Sequence, residues 1–137
     1  MSATIELADR VEIAELFARL ARLLDDGRIY DINTVYADDV VVRSPRAELH
    51  GIEEVLAFLR TSKVEGEHTQ HVNSDVLVTV DGDQVRASAS QLVHYFRAGE
   101  APHRSSGLRL AYRVVKTPAG WRFREGQLTL AWSKTSP

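Results

Sequence analysis

The sequence predicts an α+β fold in which helices come first and a curved antiparallel sheet follows, one of its faces wrapping against the helices. Two observations carry this expectation. In residues 5–24 and 50–60 apolar side chains recur at spacings of three and four, the period of a helix buried on one side. From residue 69 onward they alternate, the period of a half-buried strand. Turn signals, DGD at 81–83 and PAG at 118–120, cut the alternating half into strands that follow one another and therefore pair antiparallel. With 137 residues, 44% of them hydrophobic and 26% charged, the chain is expected to form a single domain, residues 1–137, around one core.

Each element has its own signature. From Ile5 to Leu24, Ile13, Leu16, Phe17, Leu20, Leu23 and Leu24 make the apolar stripe of a first helix, and Glu12, Glu15, Arg19 and Arg22 hold the other side. Gly27 ends it, because glycine readily takes the left-handed conformation needed just past a helix C-terminus. A short second helix is predicted over Tyr30 to Tyr36, then a brief strand in VVVRSP closed by Pro45, and after a loop a third helix in HGIEEVLAFLR. Residues 69–80 form a strand with Val72, Val76, Val78 and Val80 on one face, and VRASASQLVHYF returns from the DGD turn. LRLAYRVVKT and WRFREGQLTLAW complete the meander. In the last of these Trp121 and Phe123 share one parity and Leu128 and Leu130 the other, which predicts a bulge at Gly126.

The composition excludes several functions. There is no cysteine, so disulfides, thiolate catalysis and cysteine metal sites are ruled out, and a net charge of −2 gives no footprint for nucleic acid or an anionic membrane. MSATIELADR lacks the layout of a signal peptide, and no apolar run reaches the length of a membrane span. A cytoplasmic location is expected. His50, His68, His71, His94 and His103 are scattered, so no metal site is expected, and with no glycine-rich phosphate loop no cofactor is expected either.

One stretch is electrostatically odd. LLDDGRIYD places Asp25 and Asp26 at the end of the first helix, where the partial negative charge of the helix terminus disfavours exposed acids by about 0.3 to 1 kcal/mol each. On a helical wheel Asp25 continues the stripe of Ala14, Ala18 and Ala21, while Asp26 follows Arg19 and Arg22 on the polar side.

The order of elements and several local matches resemble the SnoaL-like group of the nuclear transport factor 2-like superfamily. The matches are DRVEIAELFARLARLLDDGRIYDI, with an acid four residues before an aromatic-Asp pair; VYADDVVV; HGIEEVLAFLR; TQHV opening the long hairpin; VDGD at its turn; and GWRF before the last strand. The resemblance spans about Ala8 to Trp132 and implies a cystatin-like α+β barrel, a cone-shaped curved antiparallel sheet packed against three N-terminal helices. In dehydratases of this superfamily an Asp at the end of the first helix faces a His at the start of the long hairpin, which implies Asp26 and His71 as catalytic residues here. A His near its ordinary pKa can carry a proton between two substrate atoms at neutral pH, and a carboxylate can orient it or itself act as base.

The residues expected to bind substrate are Asp25, Phe17, Asn73, His94, Tyr95, Tyr112 and Trp132. His94 and Tyr95 point to opposite sides of their strand, so only one of them can join the pocket. Ser44 and Ala21 stand where two of the family's dehydratases carry pocket tyrosines, so neither of those activities is implied. The resemblance leads to a cofactor-independent lyase or isomerase, a dehydratase or cyclase, acting on a small apolar carbonyl compound such as a polyketide or steroid-like metabolite, and to a homodimer through the outer sheet face. Two alternatives stay open. One is a non-catalytic binding or dimerisation module of the same fold; the other is an epoxide hydrolase, which needs Arg109 or Arg113 beside the acid.

Overall fold

The structure, a computed structural model, describes residues 4–136. Residues 1–3, part of the stretch read above for a signal peptide, lie outside the described residues. Helix α1 (Leu7–Asp25) is followed by a 3-10 helix (Ile29–Thr34), strands β1 (Tyr36–Arg43) and β2 (Glu48–His50), helix α2 (Ile52–Thr61), and the long strands β3 (Glu67–Asp81), β4 (Gln84–Arg97), β5 (Arg104–Thr117) and β6 (Gly120–Thr135). Among the described residues no helix is long and apolar enough to cross a membrane.

The six strands form one sheet in the order β2-β1-β6-β5-β4-β3. The sheet is mixed rather than wholly antiparallel, because β1 runs parallel to β6 while every other pair is antiparallel. Sequence alternation reports burial but not direction, so it could not reveal this parallel pair. Two boundaries also move: Tyr36 starts β1 instead of ending the second helix, and Glu48–His50 is a short edge strand where a loop was expected.

Helix α1 starts with a capping box, the Asp9 carboxylate accepting from the Glu6 backbone N–H at 2.9 Å. It ends in a Schellman motif: Arg28 N–H donates to Leu23 C=O at 2.8 Å and Gly27, at φ +71°, to Leu24 C=O at 3.3 Å. Its apolar stripe, Ile13, Leu16, Phe17, Leu20 and Leu23, is buried against the inner face of the sheet. Phe17, Tyr112 and Phe123 fill the centre, with Tyr112 and Phe123 stacked at 3.8 Å and Phe17 edge-on to both. Gly126 makes room for that stack, since a Cβ there would come within 2.5 Å of the Tyr112 ring.

Three bulges decide which side chains share the inner face. In β3 an extra residue between Ser74 and Leu77, marked by Asp75 at φ +55°, reverses the parity. Val76, Val78 and Val80 therefore share a face with His71 and Asn73, and Val72 lies on the opposite one, contrary to the expected four-valine stripe. In β6 the bulge expected at Gly126 occurs at Arg124, between the Val114↔Phe123 and Arg113↔Glu125 pairs, and it puts Trp121, Phe123, Leu128 and Leu130 on one face. A second extra residue in β6, Ala131, separates the Leu108↔Leu130 and Gly107↔Trp132 pairs and turns Trp132 outward.

Candidate active site on the inner face of the sheet

The inner face is sealed at one end and open at the other. Val85, Val114, Trp121 and Phe123 are buried at the closed end, where the Trp121 backbone N–H and indole N–H donate to Glu12 and Asp9 of α1 at 2.7 and 3.0 Å. Toward the opposite end of the sheet Leu130, Ser133 and Thr135 on the same face are exposed. The last turn of α1 meets β3 at the border between the two regions.

Asp25, the final residue of α1, reaches β3 there. Its Oδ1 accepts from the Thr69 hydroxyl at 3.0 Å and lies 2.6 Å from His71 Nδ1; its Oδ2 accepts the His71 backbone N–H at 3.0 Å. Three donors on one carboxylate offset the cost of an acid at a helix C-terminus, since hydrogen bonds to charged groups are worth roughly 1.5 to 3 kcal/mol each. An ionised carboxylate only accepts, so the neutral imidazole carries its proton on Nδ1 and presents a lone pair at Nε2. Among the described residues Nε2 has no hydrogen-bond partner, and it is not among the polar atoms sealed from solvent. The side chains of His71 and Asp25 are 12% and 23% exposed, so the pair is mostly dry yet still reachable.

Asn73, two residues on, ties the same strand to the helix. Its Nδ2 donates to the Phe17 carbonyl at 3.1 Å, and its Oδ1 accepts from Gln91 Nε2 at 2.9 Å. The Asn73 bonds and the Asp25 cradle together fix the register of α1 against β3.

The other expected site residues separate into four groups. Asp26 does not meet His71: it is the exposed C-cap of α1, about 100° further round the helix than Asp25. His94 and Trp132 lie on the outer face, His94 Nδ1 against the Ser105 hydroxyl at 2.8 Å and Trp132 with its indole over Gly107. Phe17, from α1, and Tyr112, on the inner face of the sheet, are buried in the central aromatic stack rather than lining an open space. Tyr95 faces inward beyond Thr69, with the Arg104 guanidinium 3.8 Å above its ring.

Sequence reasoning missed Thr69 and Arg104. Thr69 had a usable signal, since it stands two residues before His71 and so on the same face of the strand. Arg104 had none, because only the pairing of β4 with β5 places it opposite Tyr95. Arg109 and Arg113 alternate with the half-buried Leu108 and the buried Leu110, Tyr112 and Val114 and lie on the outer face, away from Asp25. Among the described residues no group of three or more His, Asp or Glu side chains is gathered as metal ligands would be.

The geometry can be set beside known proteins. No curated protein matches the chain. Among solved structures it is similar to a nuclear transport factor 2-like protein with a cystatin-like fold from Novosphingobium aromaticivorans, at 30% identity over 91% of this chain and 83% of that one, with a TM-score of 0.72. It shares its fold with ActVI-ORFA from Streptomyces coelicolor, at 16% identity, 88% and 96% coverage and a TM-score of 0.80. It does so too with a type 2 hexachlorocyclohexane dehydrochlorinase, LinA, at 14% identity, 96% and 90% coverage and a TM-score of 0.82. The profile of the SnoaL-like domain matches residues 5–126, so the chain belongs to the SnoaL-like family.

Proposed function

We propose that the chain is a cofactor-independent lyase or isomerase, a dehydratase or cyclase, that uses His71 as general acid/base on a small carbonyl compound. The observation that carries this reading is the free Nε2 of an imidazole whose Nδ1 is held by a carboxylate. Nε2 takes a proton from the carbon next to the carbonyl, and the same atom returns it to a leaving hydroxyl or to another carbon. Asp25, not Asp26, holds the tautomer and stabilises the imidazolium that forms. The reaction needs only positioning and one proton carrier, which suits elimination of water, double-bond migration or ring closure by an aldol step.

The test is solvent-deuterium exchange at the α-carbon of bicyclic ketones, with 2-tetralone as the first probe. His71→Ala is expected to lower the exchange rate by about 10²- to 10⁴-fold while the far-UV circular dichroism of the folded protein is retained. Nitrogen NMR of the wild-type imidazole is expected to show the proton on Nδ1. A wild-type rate in His71→Ala would reject the reading.

One observation favours the alternative of a non-catalytic module: the stack of Phe17, Tyr112 and Phe123 fills the centre that a large ligand would need. The polar end around Asp25 and His71 is outside that stack, which is why the catalytic reading is preferred. The epoxide hydrolase alternative lacks its arginine, because Arg109 and Arg113 face outward.

We also propose a homodimer through the outer sheet face. Val72, Leu92, Gly107 and Trp132 form one row across β3, β4, β5 and β6, and the three with side chains are exposed. A contiguous exposed apolar row of this kind marks an interaction surface.

A further inference from the structure

Beyond His71 the open end of the inner face carries a cation that has no partner among the described residues. Thr69, Tyr95 and Arg104 stand opposite one another on β3, β4 and β5 and make a single row on that face. The Arg104 guanidinium lies 3.8 Å from the centroid of the Tyr95 ring, and among the described residues it enters no ion pair or side-chain hydrogen bond. The acid at this end, Glu67, is taken by His103, Oε2 to Nε2 at 2.7 Å. Arg97, opposite Glu67, adds charge of the same sign as Arg104. In the neighbouring row His71 is followed across the sheet by Val93, Ser106 and Ser133, whose two hydroxyls are 3.1 Å apart.

Stacking fixes the guanidinium over the ring and leaves its N–H edge free for a planar anion. Adjacent strands are about 4.8 Å apart and two residues along a strand span about 6.8 Å, so His71 and Tyr95 are roughly 8 Å apart at the backbone. That separation accommodates a chain of three or four bonds or one small ring. We propose that Arg104, held by Tyr95, is the carboxylate-binding subsite of the His71 site, and that the substrate is a keto acid whose carboxylate lies a few bonds from the carbon that His71 deprotonates. The subsite deepens, and rests on, the acid-base reading of His71.

The experiment uses ω-phenyl-ω-oxo carboxylates with one to four methylenes between ketone and acid, each beside its methyl ester. Binding is measured by calorimetry and α-proton exchange by NMR, in the wild type, Arg104→Met and Arg104→Lys. The expected result is that at least one acid binds the wild type about 10- to 100-fold more tightly than its ester, that Arg104→Met abolishes the preference without weakening ester binding, and that Arg104→Lys keeps part of it. An acid-ester preference that survives Arg104→Met, or no preference anywhere in the series, overturns the subsite. A preference lost in Arg104→Met with no exchange on any compound upholds the subsite and rejects the acid-base reading instead.

Discussion

Asp25 and Asp26 differ by about 100° around the axis of α1, and that angle separates a cradled carboxylate from an exposed one. The stripe of Ala14, Ala18 and Ala21 already pointed to Asp25. The spacing in related sequences pointed to Asp26 because it is counted back from Tyr30-Asp31 across the turn at Gly27. The wheel holds to the last residue because the Schellman closure falls after Asp25, leaving the final turn regular. A second residue-scale consequence concerns the buried phenols. Burial pushes Tyr36 up to about 12, and burial with the neighbouring Tyr36 phenol pushes Tyr112 well above its ordinary value. In the unfolded chain Tyr36 ionises near pH 10, so its contribution to stability is complete below pH 10 and is lost as pH rises from 10 through about 12. For Tyr36 the loss amounts to roughly 2 to 3 kcal/mol. Urea unfolding of Tyr36→Phe at pH 8 and pH 11 is expected to show a smaller alkaline loss than the wild type; an equal loss would contradict the assignment.

At the scale of elements, the bulges control what the site contains. The odd-numbered His71 and Asn73 and the even-numbered Val76 and Val78 share the inner face only because β3 gains one residue around Asp75. Asp75 holds φ +55°, which an acid tolerates and a β-branched residue does not. Asp75→Val is expected to cost about 1 to 2 kcal/mol in urea unfolding, while Asp75→Gly is neutral or stabilising. Equal stability of the two variants would show that the bulge does not depend on that conformation. Helix and strand identities were legible from periodicity, and so was the need for a bulge in β6. The bulges at Asp75 and Ala131 were not, because the exposed apolar residues Val72 and Trp132 of the outer face continue the even-numbered parity of Val76, Val78, Leu128 and Leu130 across each inserted residue. Trp132 was placed in the pocket for that reason.

For the whole molecule, the element order and family were legible from many weak matches in sequence, whereas the parallel pairing of β1 with β6 was not, since no local pattern encodes it. The outer row of Val72, Leu92 and Trp132 bears on assembly. Trp132→Glu combined with Leu92→Lys is expected to convert a dimer to a monomer by light scattering at micromolar concentration; a wild type that is already monomeric would reject the dimer. On the proposed reading function depends on the fold as a unit, because α1 supplies the carboxylate, β3 the imidazole, and the Asn73–Phe17 bond helps hold the two in register. That reading makes Asp25 and His71 one acid-base device. Its most direct test is the α-proton exchange rate of Asp25→Asn beside Asp26→Asn, on a ketone the wild type turns over. A loss of about 10²-fold or more in Asp25→Asn with a near-wild-type rate in Asp26→Asn is predicted, and the reverse ranking, or no loss in either, would contradict it.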